Sequence, residues 1–261
     1  RFGMDQGQAA GDGDLSIPGV SGTGAPVRLE FLNPGGATTG KLLPTGNVVD
    51  TLDVPGVGRV RVSMVDAANA CVFVRAEDVG LTGIEMPEAL DADTAMMAKL
   101  GAIRLAASVA MGIAPDVQSA AKKTTVPFVG FVSAPGEARS LAGEGIQASD
   151  IDLTGRMLSN GQTHRALPLT ASLCMAVAAR LPGSVVHECA RPTDDANAPL
   201  RIGMPSGVLV VAANVKQSDG QWVAEQGAFY RTARRLFEGA VYVRASHVGT
   251  LVDAADTAAS H

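Results

Sequence analysis

Between Asp150 and Leu181 the chain reads DIDLTGRMLSNGQTHRALPLTASLCMAVAARL, and two kinds of residue meet in it. Ser159, Asn160, Gly161, Gln162, Thr163, His164 and Arg165 are polar or flexible. From about Leu167 to Leu181 the chain is apolar nearly all the way round, through Leu169, Leu173, Cys174, Met175, Val177 and Leu181. A helix that is apolar on every side must lie inside the protein, and Pro168 suits its first turn, where a missing N–H costs nothing. The free N–H groups of a buried helix would then open beside a polar, partly cationic loop. That arrangement binds carboxylates; a core helix with an ordinary capping loop is the plainer alternative.

Other chemistries find little support. The histidines His164, His187, His247 and His261 lack metal-ligand spacing, so no metal is expected. Cys71, Cys174 and Cys189 form no CxxC, and two fall in apolar runs, as buried free thiols do in a reducing cytoplasm. There is no GxGxxG, no P-loop and no convincing Ser–His–Asp order.

The elements that must position the loop are mostly short strands. Val27–Phe31 and Val57–Asp66 alternate apolar and polar, and Cys71–Arg75 and Val126–Val132 are continuous apolar runs. Asp66 to Asn69 makes a polar elbow between strands. Asn33–Asn47, rich in Gly, Pro and Thr, is a loop too ornate for a plain connection, or else a flexible inter-domain crossing. Asp93–Met111 has helical spacing and stops at Gly112 and Pro115. Ser133–Ser149 reads as loop. Gly183–His187, Val208–Asn214 and Gln221–Glu225 read as strands, with a tight turn at Met204-Pro205-Ser206-Gly207. Ala228–Gly239 carries a basic helical turn, Ala240–Val243 a closing strand, and Ser246 to His261 a loose tail. Many strands around one buried helix, with an amphipathic helix outside, predict an α+β protein of mixed order and exclude a βαβ repeat.

At 261 residues, 46% hydrophobic and 18% charged, the chain can fold as one large domain or two small ones. A net charge of −5, with no basic run longer than Lys122–Lys123, argues against nucleic-acid binding. No uninterrupted apolar stretch reaches membrane-spanning length. Arg1-Phe2-Gly3 opens without methionine and the glycine-rich run after it resembles mid-domain sequence, so a processed chain or a fragment is expected.

Six separated motifs carry a family resemblance: GDGDLSIPGVSGTGAPVRLEF; LLPTGN (Leu42–Asn47); VPGVGRVRVSMVDAANACVFVRAEDVGLTG (Val54–Gly83); RMLSNGQTHRALPLT (Arg156–Thr170); RIGMPSG (Arg201–Gly207); and RTARRLFEG (Arg231–Gly239). In this order they closely resemble the PrpF family, which holds 2-methylaconitate cis-trans isomerase and relatives such as methylitaconate isomerase and oxalomesaconate tautomerase. The resemblance implies a diaminopimelate-epimerase-like fold. Two lobes would each wrap strands around a central helix, with the active site between the helix N-termini. Residues 1–42 would finish the first lobe, 43–227 form the second with its helix near 167–181, 228–245 return to the first, and 246–261 be a flexible tail.

The activity implied is proton transfer on an unsaturated tricarboxylate without a cofactor, by a cytoplasmic isomerase. Thr45, Gly46 and Asn47 would lie at the cleft rim. Asn69 would orient substrate, Gly161, His164 and Arg165 would anchor a carboxylate, and Ser206 with Gly207 would offer a hydroxyl and a backbone N–H. The family's acid–base lysine and its cysteine in an NCGN-like motif belong to the first lobe, and no such motif occurs here. The catalytic residues are therefore unassigned, and turnover by this chain alone is not expected. Departures from the family's SMG and HPSG patterns, at Leu158–Gly161 and Met204–Gly207, imply altered substrate preference or weakened activity. An amino-acid epimerase or racemase on the same fold, which would need a cysteine at the helix head, and a non-catalytic binding module are the alternatives. A face left open by a missing lobe would favour self-association into a homo-oligomer.

Overall fold

The computed structural model describes residues 1–243 apart from residues 6, 196–197 and 235. The tail expected from Ser246 to His261 lies outside the described residues. A small hairpin of β1 (Met4–Asp5) and β2 (Gln8–Ala9) opens the chain. There follow β3 (Ala25–Leu32), β4 (Asp50–Val54), β5 (Gly58–Asp66), β6 (Ala70–Arg75) and β7 (Phe128–Ser133). Between β6 and β7 lie the helices α1 (Pro87–Ala92), α2 (Thr94–Ala110) and α3 (Val117–Lys122). A minor pair, β8 (Ala138–Arg139) and β9 (Gly145–Ile146), occupies the expected loop. Then come β10 (Leu153–Ser159), β11 (Gln162–Thr163), α4 (Leu169–Ala179), α5 (Val185–Cys189), β12 (Leu200–Met204), β13 (Gly207–Ser218) and β14 (Gln221–Ala233).

Among the described residues one sheet runs β3-β14-β13-β12-β10-β7-β6-β5-β4, with β11 paired to β10. Only β6–β7 and β10–β12 are parallel, so the sheet is mixed. The buried helix packs against β5 and β6 towards one edge of this order and against β13 and β14 towards the other. A sheet that touches one helix from both directions must curl around it. Ala171 to Ala179 are all buried as a result. The approach is close enough that a Cβ on Gly227 would meet Leu173 Cδ1 at 1.8 Å, which is why a strand otherwise rich in side chains carries glycine there.

The second face of β5, β6 and β7 is covered too. Cys71 and Phe73 belong to the core around α4, whereas Val72 and Val74 pack in the cluster of α2 with Leu100 and Ile103. A strand covered on both faces reads as an unbroken apolar run, as CVFVR does. Asp93 starts α2 by accepting from Met96 N at 2.9 Å.

Four expectations are corrected. Gly183–His187 is not a strand. The Ser184 hydroxyl accepts His187 N at 3.0 Å and donates to Ala178 O at 2.6 Å, so it caps α5. Ala228–Gly239 does not form a helical turn, because Ala228–Ala233 continues β14 and pairs residue for residue with β3. Ala240–Val243 makes no strand, and Val241 and Tyr242 stand almost fully exposed. Pro168 is the N-cap of α4 rather than part of its first turn.

Candidate active site

The helix α4 starts with no side chain capping it. Ser172 N reaches Pro168 O at 2.8 Å, so the amides of Leu169, Thr170 and Ala171 precede the first helical bond and have no acceptor within the helix. This is the partial positive end of a buried dipole.

Two chain segments are seen to meet it. Asn69, in the turn between β5 and β6, donates through Nδ2 to Thr170 Oγ1 at 3.4 Å. The β12–β13 turn arrives through Met204, whose Sδ accepts Leu167 N at 3.3 Å. The β10–β11 hairpin, which leads along the chain into α4, carries His164. Asn160 (φ 50°) and Gly161 (φ 72°) form its two-residue loop, the Asn-Gly pair that a left-handed hairpin turn selects. Gly161 is thereby fixed as a turn residue, with open space around its Cα.

His164 is half-buried. Its Nε2 lies 2.7 Å from Ser159 Oγ, and its ring stacks on Phe128, with centroids 5.8 Å apart and planes 15° apart. Burial pushes its pKa below the ordinary histidine value, which keeps the imidazole neutral at pH 7. Arg165, the next residue, points elsewhere: it donates to Glu88 on α1 at 2.6 Å, in a pair exposed on both sides.

The Met204–Gly207 turn is covered. Ser206 Oγ is buried with no hydrogen-bond partner among the described residues. Pro18 sits against Gly207, where a Cβ would meet Pro18 Cβ at 2.9 Å and φ is +133°. Thr45 and Asn47 lie in the loop ahead of β4 and both turn to Asp50, at 2.7 and 2.8 Å. Gly46 (φ +83°) borders a cavity of ≈ 480 Å³ with Lys41 and Trp222. No contact brings Thr45 or Asn47 to the His164 group among the described residues.

Several site-building residues were not singled out from sequence. Asp66, fully buried at the end of β5, accepts Thr38 N (2.8 Å), Thr39 N (2.6 Å) and Thr39 Oγ1 (2.9 Å). It thus holds the ornate 33–47 loop over the Ala67–Asn69 turn, where Ala68 N also donates to Pro34 O. An acid closing an apolar strand, preceded in the chain by a Gly/Thr-rich loop, was the available signal. Arg156 on β10 is 1% exposed and donates to the carbonyls of Glu85, Gly155 and Gly203. Burial pushes its pKa down to about 10, and it ties the Gly83–Glu85 segment to the sheet. A cavity of ≈ 720 Å³ lies at the opposite end of α4, beside Arg180, Arg191 and Arg201. There Asp152 takes a forked pair from Arg201 at 2.7 and 3.2 Å.

Comparison with known proteins shows the family. The model of the PrpF protein family matches residues 2–244. The chain belongs to the PrpF family. It is 40% identical over 242 residues to 3-methylitaconate isomerase of Eubacterium barkeri, covering 92% of this chain and 62% of that protein. With 2-methyl-aconitate isomerase of Cupriavidus necator it shares 38% over 243 residues, or 92% of this chain and 61% of the relative. The crystal structure of methylitaconate-delta-isomerase matches with a TM-score of 0.84 at 38% identity, covering 94% of this chain and 62% of that one. The chain therefore spans a little over three-fifths of the length of these relatives. The fold is α+β and diaminopimelate-epimerase-like, as the PrpF resemblance implied. Among the described residues no helix is long and apolar enough to cross a membrane.

Proposed function

We propose that this chain carries the carboxylate-binding end of a cofactor-independent isomerase that moves protons on an unsaturated tricarboxylate of the 2-methylaconitate or aconitate type. The observation that carries the reading is the uncapped start of α4, whose first three amides have no acceptor within the helix and lie beside Asn69 and Met204. Fixed N–H dipoles stabilise a carboxylate, and they stabilise the enolate-like charge that builds when a proton beside it is removed. Proton removal and return require an acid–base pair. The sequence contains no NCGN-like segment to supply the family's cysteine, so the chain binds the anion and orients it.

Residues 43–227 are assigned to the lobe around α4, and 1–42 and 228–245 to its neighbour, with β14 running unbroken across the Gly227–Ala228 boundary. The exposed apolar side chains of Leu236, Phe237, Val241 and Tyr242 favour self-association, in a cytoplasmic enzyme of small-molecule metabolism. The racemase alternative is disfavoured by Cys174. It is fully buried in the second turn of α4, and its thiol is spent on Val65 O at 3.3 Å.

The test is a titration of the isotope-labelled chain with trans-aconitate, followed by backbone amide NMR. The amides of Leu169, Thr170 and Ala171 should shift in a saturable way, without conversion of the ligand. Shifts confined to the Arg180–Arg191–Arg201 cavity, or none at all, would refute the reading.

A further inference from the structure

Ser159 belongs to no role assigned above, yet its hydroxyl touches the half-buried imidazole of the candidate site. The side chain is 6% exposed at the end of β10. Its backbone is fixed by the hairpin register, Ser159 opposite Gln162. The ring it meets is fixed as well: His164 N donates to Met157 O at 2.9 Å, and Phe128 stacks on the ring. The ring cannot swing away without breaking the stack, and the hairpin keeps the Ser159 backbone beside it.

The hydroxyl has one proton to donate. Among the described residues its one recorded partner is His164 Nε2, at 2.7 Å. A proton that must go somewhere in a buried place goes to that nitrogen, because an unmet buried donor is destabilising. A neutral imidazole that accepts at Nε2 carries its own proton on Nδ1. No acceptor for Nδ1 is recorded among the described residues.

We propose that Ser159 is a positioning residue: it holds His164 as the Nδ1–H tautomer and so presents a neutral N–H donor to a carboxylate or enolate oxygen of the bound anion. A donor that needs no positive charge contributes at neutral pH, and it does not neutralise charge in the ligand before the reaction. The ligand-facing part of the inference rests on the function proposed above, whereas the tautomer itself does not.

The experiment uses the whole chain, labelled with 15N in its histidines, near pH 7.5. His164 is identified by comparison with His164→Gln. In the parent, Nδ1 should give the protonated type of imidazole nitrogen signal and Nε2 the unprotonated type. Ser159→Ala should move the population towards the Nε2–H form, and Ser159→Thr, which restores the hydroxyl, should move it back. Thermal melts show whether each variant is folded, and the parent spectrum decides the matter even if Ser159→Ala is not. A parent already in the Nε2–H form, or an unchanged signal in folded Ser159→Ala, would overturn the proposal. Titration with trans-aconitate supplies the second arm. Binding weakened about tenfold in Ser159→Ala and recovered in Ser159→Thr supports the ligand-facing role, and equal binding in all three removes it. If trans-aconitate binds none of the proteins, the function proposed above fails while the tautomer result stands.

Discussion

Replacing Ala171 by leucine tests whether α4 is the centre of the fold. Ala171 lies in the helix's first turn at 0% exposure, inside the core cluster that also contains Leu42, Val65, Leu167 and Met204. Leucine adds three heavy atoms where none of these residues has solvent to retreat into. Protein interiors pack as densely as organic crystals, so the extra volume forces side chains off their rotamers at a cost of about 1–3 kcal/mol. Helix propensity offsets little of this, since leucine is nearly as good a helix former as alanine. The matched control is Ala98→Leu on α2, an exposed position, where an effect under about 0.5 kcal/mol is expected. In urea, with m-values unchanged, the midpoint should fall for Ala171→Leu and stay within error for Ala98→Leu. In heat the difference should be several degrees, at about 2–4 °C per kcal/mol for a chain of this size. Equal midpoints for both variants and the parent would refute the enclosure of α4 by the sheet.

Two further outcomes follow from charged groups. Arg165 is held by Glu88 at 2.6 Å, so if it anchors a ligand carboxylate, Glu88 is its competitor. Arg165→Ala should then weaken trans-aconitate binding about tenfold, the low end of what one charge-assisted contact contributes, and Glu88→Gln should tighten it; equal affinity in calorimetry for both variants and the parent returns Arg165 to the surface. Glu188 accepts from Arg61 at 2.6 and 2.7 Å and from Arg75 at 2.7 Å, and these guanidinium groups pull its pKa down to about 2. A carboxylate with a depressed folded pKa stabilises the protein above its ordinary value near 4.5 and loses that contribution as pH falls towards 2. The drop corresponds to about 3 kcal/mol, which solvent screening reduces to about 1–2 kcal/mol. Urea melts should show Glu188→Gln less stable than the parent at pH 7, with the gap closing between pH 4.5 and 2; a gap independent of pH would contradict the linkage.

The legible parts of the sequence were those where one local constraint dominates. An unbroken apolar run such as CVFVR, or a helix with no polar face, has a single physical outcome: burial on every side. Met204–Gly207 was readable as a turn for a similar reason, since turn chemistry is local, whereas Asn160 and Gly161 were read only as part of a polar loop. GSVVH was misread because its β-branched residues favour strands in isolation, while one cap at Ser184 and the docking of Val185 and Val186 into the α4 core decide otherwise. The run from Ala228 to Ala233 was misread because only Ala228 and Phe229 pair with the adjacent β13, and the partner along the whole run, β3, lies far away in sequence.

The candidate site is harder to read for a reason that goes beyond such errors. Its positive charges seemed the informative residues, yet Arg165 turned to Glu88, and Arg156, the buried arginine of the same stretch, turned to backbone carbonyls. What lies at the start of α4 is neutral: three amides without an acceptor in the helix, and Asn69, which reaches Thr170 Oγ1. A cation buried at that position would have to be desolvated without a partner whenever the site is empty, which costs several kcal/mol. Dipoles held by the fold need no such compensation, and they bind a carboxylate through charge-assisted hydrogen bonds when it arrives. Residue type announces a charge, but a dipole acquires its direction only from the backbone. The proposed carboxylate site therefore rests on a helix terminus and its neutral neighbours, and the hydroxyl–imidazole contact, rather than the nearby arginines, is the place to test it.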